Sequence, residues 1–228
     1  MTNITKEHYK EFFVRLILFI LTISSYITYR ISGNLTFQSI VYIIIWLFFT
    51  KEMLFRLFPQ KNASAGNQKI FNKNFIQTKQ KTIKKDNKSA LIVGIVWLLF
   101  NSIFITLYFT NIIDTGIMMI IAMFYAVCDL ICILFYCPFQ RWFMKNKCCT
   151  TCRIYNWDYA MMFTPLIVIP NFYNYSLVIL SLIVLLTWEI SYNKQPEKFH
   201  EETNEFLKCK NCKELMCKNR LRKMEQSK

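Results

Sequence analysis

The chain has 228 residues, of which 54% are hydrophobic and 17% aromatic, and its formal net charge at neutral pH is +14. Charged residues are confined to a few blocks between long apolar runs, whereas soluble domains intersperse charged and apolar residues. This pattern excludes a soluble globular enzyme. It predicts an all-α, polytopic integral membrane protein, because an apolar run of about 18 residues or more is typical of a helix that crosses a bilayer.

Six apolar runs predict about six transmembrane helices, of which the last two are short. Turn residues such as Gly33 and Asn34 separate neighbouring runs. In chain order, the predicted helices cover about 12–29, 35–50, 90–112, 117–136, 157–169 and 175–190.

The last apolar stretch, 157–190, is too long for one crossing and short for two, since each needs about 20 residues. Pro165, Pro170 and Asn171 interrupt it. We divide it into two short spans, with a re-entrant pair of segments as the alternative.

The runs define a transmembrane bundle over 1–190, which includes a basic loop at 51–89 and a cysteine-rich loop at 137–156. Residues 191–228 form a basic tail that contains cysteines. We expect the tail to be helical from Pro196, because acidic residues come early and basic residues late, as the helix dipole favours.

The distribution of lysine and arginine predicts the orientation in the membrane. With six spans, all 28 of these residues except Arg30 fall on one side. Basic segments that flank spans stay in the cytoplasm. The sequence therefore predicts a cell-membrane protein with both termini cytoplasmic. A single crossing at 157–190 would place the basic tail outside, against this rule.

The basic loop ends in a lysine-rich run, Lys79–Lys88. One interpretation is attraction to anionic lipid headgroups, worth about 1 kcal/mol for each basic residue near the surface. The simpler interpretation is that the charge only holds the loop in the cytoplasm. No nucleic-acid-binding motif accompanies the run, so the expected partner is the lipid bilayer and not nucleic acid.

Seven of the nine cysteines lie in segments that are predicted to be cytoplasmic, where thiols stay reduced. Two Cys-x-x-Cys pairs, Cys149/Cys152 and Cys209/Cys212, match the ligand spacing of zinc sites. If 157–190 goes out and returns, the two pairs approach each other despite their separation in sequence. We therefore predict a zinc site that joins the loop to the tail, with Cys137, Cys148 and Cys217 as further candidate ligands.

Two alternatives use the same cysteines differently. An iron–sulfur cluster also takes four thiolates, and a redox dithiol needs two. Either would make the protein a membrane redox protein. The simplest alternative is that these cysteines are acylated or have no special role. Cys128 and Cys132 lie four residues apart inside the fourth run, and we interpret them as packing residues.

Asp129 is the carboxylate deepest within a predicted span, and intramembrane acids face a partner, an ion path or a cavity. Arg15, near the start of the first span, is the expected ion-pair partner. The functional hypothesis is a small-solute or ion transporter that uses Asp129, and the structural hypothesis is a pair that fixes helix packing. Asp158, beside Trp157, is expected to cap the fifth helix. No motif assigns a reaction.

Overall fold

Five long helices and one short helix form the part of the chain that the computed structural model describes, namely residues 3–33, 35–58, 75, 87–146, 152–200 and 202–208. The helices are α1 (Asn3–Ser32), α2 (Leu35–Leu57), α3 (Asn87–Phe109), α4 (Thr115–Leu134), α5 (Asp158–Met162) and α6 (Phe172–Lys194). A short π-helix, Phe139–Phe143, follows α4. Most of the basic loop, including 79–85, lies outside the described residues. The predicted division of the chain into a bundle and a tail at residue 190 stays a prediction.

Four helices are long and apolar enough to cross a membrane: Thr5–Ser32 of α1, and α3, α4 and α6. They correspond to four of the six predicted spans and are consistent with a membrane protein. Helix α2 has 23 residues, as many as α3 and α6. It continues past the predicted end at Thr50 and includes the charged residues Lys51, Glu52 and Arg56. The number of crossings beyond these four stays a prediction.

The helices alternate in direction, so that one end of the bundle collects several chain segments. Arg15 of α1 contacts Glu52 of α2 and Asp129 of α4, whereas Arg30, at the other end of α1, contacts Asp114 just before α4. We call these the Cys137 end and the Arg30 end. The first turn of α3 lies at the Cys137 end, since Ala90 packs near Cys152.

The segment that was predicted as the fifth span is broken into short helical turns. It consists of a 3-10 turn (Tyr155–Trp157), α5, and a second 3-10 turn (Thr164–Val168). Pro165 lies in the first turn of the latter, where it ends the α-helix because it has no N–H to donate. The structure thus differs from the predicted continuous helix.

This broken segment runs beside α2 and turns back near the middle of that helix. Phe163 packs on Phe49, and Tyr173 packs on Trp46, with ring centroids 5.2 and 5.6 Å apart. Trp46 lies eleven residues from either end of α2, about 16 Å at 1.5 Å per residue. Whether this path is a full crossing or a re-entrant pair stays a prediction.

Helix α6 brings the chain back to the Cys137 end. Asn171 caps its first turn, where its side chain accepts from the N–H of Tyr173 at 3.0 Å. Near its other end, the indole of Trp188 donates to the carbonyl of Arg153 at 2.9 Å. The two ends of 157–190 therefore lie close together, and α6 is longer than predicted, whereas passage through the membrane stays a prediction.

The predicted helix from Pro196 is wrong for the described part of the tail. Residues 196–208 instead form two 3-10 turns, Pro196–Lys198 and Glu205–Leu207. Thr203 donates to the carbonyl of Glu197 at 2.7 Å, and Asn204 donates to that of Lys198 at 2.8 Å. Such bonds from side chain to backbone compete with the helical pattern.

Candidate functional site

A cavity of about 260 Å³ lies at the Cys137 end between α3, α4 and the segment 152–162. Aromatic and aliphatic side chains form most of its wall. The indole of Trp97 donates to Thr164 at 3.2 Å, and the hydroxyl of Tyr125 donates to Asn101 at 3.3 Å. The polar groups of Trp97 and Tyr125 are therefore bound to other protein side chains and do not point into the cavity. The ionisable side chains of the wall are four cysteines and two aspartates, in addition to tyrosines: Cys128, Cys132, Cys137, Cys152, Asp129 and Asp158.

Two of the cavity thiols contact each other. Cys132 lies in the last turns of α4, and Cys137 follows the end of that helix, immediately before Pro138 and the π-helix. The Cys132 thiol donates a hydrogen bond to the sulfur of Cys137. The backbone N–H of Gln140 also donates to that sulfur, at 3.4 Å. The way in which the chain leaves α4 thus folds Cys137 back onto the helix.

The hydrogen bond from Cys132 lowers the pKa of the Cys137 thiol to about 7, with help from the backbone N–H groups of Gln140 and Phe139 and against the effect of burial. Donors near a thiolate stabilise the charged form. The lowered pKa of Cys137 favours its thiolate, which is the nucleophile and the redox-active form.

The interpretation of Cys128 and Cys132 as packing residues is therefore incomplete. Both are half-buried and line the cavity, one helical turn apart. The sequence does contain a pattern that points to the cluster, since Cys128, Cys132 and Cys137 all fall within ten residues.

A network of buried charges lies next to the cavity. Arg15, which is 1% exposed, donates to Asp129 at 2.9 Å, to Glu52 at 3.0 Å and to the carbonyl of Ala126 at 3.1 Å. The hydroxyl of Tyr159 also donates to Glu52, at 3.2 Å. The predicted pair of Arg15 with Asp129 is present, and Glu52 and Tyr159 are additional members that the sequence did not indicate.

A second arginine, Arg56, which is half-buried, holds the broken segment against α2. It donates to Asn156 at 3.1 Å and to Oδ2 of Asp158 at 2.8 Å. Asp158, which was expected to act as a helix cap, is thus an ion-pair partner as well as a cavity residue. Its Oδ1 is buried and has no hydrogen-bond partner among the described residues.

An ion pair with two further contacts at the Cys137 end joins α6 to the start of the broken segment. Arg153 donates twice to the carboxylate of Glu189, and the indole of Trp157 donates to the same carboxylate at 2.7 Å. The guanidinium of Arg153 also lies 3.9 Å from the ring centroid of Tyr192. Glu189 therefore joins α6 to the broken segment.

The residues of the predicted zinc site are only partly described. Cys152 is buried, and Cys137 lies in the cavity. Among the described residues, no group of three or more histidine, cysteine or acidic side chains is placed to hold a metal ion. The remaining candidate ligands lie outside the described residues: Cys148, Cys149, Cys209, Cys212 and Cys217.

The fold brings the end of the described tail near the segment that contains Cys152, although the two are far apart in sequence. Leu207 packs in a cluster with Trp188, to which Trp157 also belongs. Trp157 packs in a second cluster with Cys152. Trp157 therefore packs against both clusters, one of which contains Leu207, just before Cys209, and the other Cys152.

No protein-family model, curated protein or solved structure matches this chain. Its function is inferred from its own residues.

Proposed function

We propose that this chain is a redox protein of the cell membrane in which Cys132 and Cys137 form a reversible disulfide. The supporting observation is the hydrogen bond between these two thiols at the wall of an apolar cavity. Oxidation would join the two sulfurs and release two electrons and two protons to a two-electron acceptor, such as another disulfide or a quinone. The Cys137 thiolate is the attacking group in such reactions.

The orientation that we propose places the Cys137 end in the cytoplasm, with both termini on that side. The concentration of basic residues supports this orientation by the positive-inside rule. Helices α1 to α4 would cross the bilayer, and the segment from Tyr155 to Lys194 would enter and leave from the cytoplasmic side. Lysines 79–88 would then face the inner leaflet, where anionic headgroups attract them.

Mild oxidation of the purified protein tests the dithiol. Reduced protein in detergent is treated with diamide under argon, alkylated and digested with chymotrypsin. Cleavage after Phe135 or Tyr136 separates the two cysteines, so a disulfide holds two peptides together. We expect the peptides of Cys132 and Cys137 to be joined in most molecules, and dithiothreitol to separate them.

Cys128→Ser is the matched control, because Cys128 lines the same cavity one turn from Cys132. This variant should form the disulfide normally, whereas Cys137→Ser should not form it. If diamide leaves both peptides fully alkylated, or joins Cys137 to a different cysteine in wild-type protein, the proposal is wrong.

A cytoplasmic thiolate metal site, with zinc as the first choice and an iron–sulfur cluster as the alternative, is the second candidate function. The observation in its favour is that Trp157 packs against both the cluster that contains Leu207 and the cluster that contains Cys152. This arrangement brings the tail before Cys209 toward Cys152, as a site shared by Cys149, Cys152, Cys209 and Cys212 requires.

Metal analysis with an absorption spectrum tests this candidate on anaerobically purified protein from cells supplied with zinc and iron. About one zinc ion per chain is expected, and the double variant Cys209→Ser/Cys212→Ser should lose it. Cys128→Ser should retain it. Protein that contains neither metal in stoichiometric amount would rule the site out, without affecting the Cys132–Cys137 dithiol.

Transport through Asp129 is a third hypothesis, and the contacts of this residue favour a structural role instead. Its carboxylate is bound to Arg15, which also holds Glu52. Unchanged solute flux in an Asp129→Asn variant would reject transport.

A further inference from the structure

The cavity that contains the dithiol has the size and surface of a site for one substituted ring. Its volume is about 260 Å³. Pockets for drug-sized ligands are usually about 300–1,000 Å³, so this one suits a smaller molecule. The rings of Trp97, Phe100, Phe124 and Tyr155 in its wall favour an aromatic or quinonoid ring, on which they can stack.

The cavity opens toward the outer surface of the bundle. Phe100 of α3 and Phe124 of α4 line it, and their side chains are 45% and 50% exposed. Helix α3 lies mainly against the π-helix and the turn Thr164–Val168 rather than against α4. In a bilayer, the exposed flank between α3 and α4 faces acyl chains, so a lipid-soluble molecule reaches the cavity directly from the membrane.

One oxygen of the wall residue Asp158 has no hydrogen-bond partner among the described residues. Oδ2 of Asp158 is bound by Arg56, whereas its buried Oδ1 has no partner among the described residues. Buried carboxylate oxygens are normally hydrogen-bonded. This oxygen is buried away from the cavity, so the choice of ligand rests on the aromatic rings and the thiols of the wall.

We infer that the cavity binds a membrane-soluble quinone, which enters between α3 and α4 and accepts the two electrons of Cys132 and Cys137. This inference rests on the dithiol proposed above and names its oxidant.

The reaction balances with two thiols and one quinone. The thiolate of Cys137 attacks a ring carbon, a C–S bond forms, and the electron pair moves to a quinone oxygen, which takes a proton. Cys132 then attacks the sulfur of Cys137, so that the S–S bond forms and the C–S bond breaks. The ring keeps the electron pair and its second oxygen takes the second proton. The two protons lost by the thiols equal the two gained by the hydroquinone.

Decylubiquinone, a short-tailed quinone, tests the inference with reduced full-length protein in lipid nanodiscs under argon. Loss of quinone absorbance is followed together with the chymotryptic assay for the disulfide. We expect one quinone to be reduced for each disulfide that forms. Cys128→Phe should slow this reaction at least tenfold, because the larger side chain fills the cavity, while diamide still oxidises the dithiol of that variant.

Ile103→Phe is the matched control, since Ile103 is 57% exposed on α3 and is not part of the cavity wall. It should reduce decylubiquinone at the wild-type rate. Protein that diamide oxidises but decylubiquinone does not would overturn the quinone site and leave the dithiol intact. An unchanged rate in Cys128→Phe would also overturn it. Protein in which neither reagent forms the disulfide would instead reject the dithiol itself.

Discussion

Arg15 is the residue on which most of the buried charge depends. It is the shared partner of Glu52 and Asp129, and it also donates to a backbone carbonyl. Removal of one partner from a buried ion pair typically costs about 3–5 kcal/mol, because the other charge stays buried without compensation. Arg15→Met leaves two such carboxylates. We expect it to lower the free energy of unfolding by at least about 3 kcal/mol, measured by denaturation in mixed micelles.

Arg30→Gln provides the comparison for Arg15. Arg30 is 64% exposed and lies 3.6 Å from Asp114. Exposed ion pairs contribute about 0–1 kcal/mol. A loss of stability in Arg30→Gln as large as that in Arg15→Met would contradict the structural importance of the buried network.

The reactivity of Cys137 provides a prediction on pH dependence. Its thiol has a pKa lowered to about 7, first because of the hydrogen bond from Cys132. The thiolate is therefore present above this pH and is lost as the pH falls through it. We expect half-maximal alkylation by iodoacetamide near pH 7, below the value of about 8.5 for an ordinary cysteine. Mass spectrometry of the Cys137 peptide measures the rate across the pH range.

Cys132→Ala should move this midpoint upward, because alanine removes the hydrogen bond to the sulfur. Cys128→Ala leaves that bond in place, so its midpoint should stay near the wild-type value. Equal midpoints in wild-type protein and Cys132→Ala would show that the contact between the thiols does not control the reactivity of Cys137.

At this scale, the sequence predicted the pair of Arg15 with Asp129 because each is an isolated charge inside an apolar run. It missed Glu52 and Arg56, since the apolar run of α2 ends before the helix does. The contact of Cys132 with Cys137 depends on how the chain leaves α4, which helical periodicity does not determine.

Among the elements, the contact between α1 and α4 depends on the absence of a side chain at Gly116. A Cβ atom there would lie 2.4 Å from Cδ2 of Tyr26, whose hydroxyl donates to Asp114 at 2.9 Å. The ring therefore moves away only by disturbing this bond. Overpacking typically costs about 1–3 kcal/mol. We expect Gly116→Ala to lower stability by this amount in thermal unfolding experiments.

Gly94→Ala is the matched control in α3, because its added Cβ would lie 3.4 Å from the nearest atom of Trp157, an ordinary contact. This variant should be neutral or more stable by up to about 1 kcal/mol, since alanine favours a helix over glycine. Similar destabilisation by both substitutions would argue against close packing at Gly116.

The long helices could be predicted because their apolar runs exceed the length of a crossing. The broken segment could not be predicted in the same way. Pro165 and Pro170 indicate an interruption, but the turn beside Trp46 results from contacts with α2, which are distant in sequence. In the tail, the hydrogen bonds of Thr203 and Asn204 to nearby carbonyls outweigh the charge pattern that suggested a helix.

For the whole molecule, the orientation can be tested with single added cysteines. Ile112 is 68% exposed in the turn after α3 at the Arg30 end, and Phe58 is 62% exposed after α2 at the Cys137 end. A membrane-impermeant maleimide added to intact cells should label Ile112→Cys but neither Phe58→Cys nor wild-type protein. Lysis should allow labelling of Phe58→Cys. Labelling of Phe58→Cys in intact cells would reverse the proposed orientation.

The sequence predicted that several chain segments gather at one end of the bundle. Helices that alternate in direction place every second connection on the same side, and the basic residues lie in those connections. The same rule predicts that 157–190 returns to the side it leaves, which stays a prediction. The position of the turn was not predictable, since a full crossing and a re-entrant pair place the tail on the same side.

In the orientation that we propose, the turn beside Trp46 places more protein in the leaflet at the Cys137 end than in the opposite leaflet. Within the described residues, the half of the bundle at the Arg30 end consists of α1 to α4, whereas α5 and α6 join them at the Cys137 end. In the orientation that we propose, the cross-section of the protein is therefore larger in the leaflet at the Cys137 end. We expect lipid tails to fill the missing volume on the narrow side, and the protein to favour membranes curved to match this asymmetry.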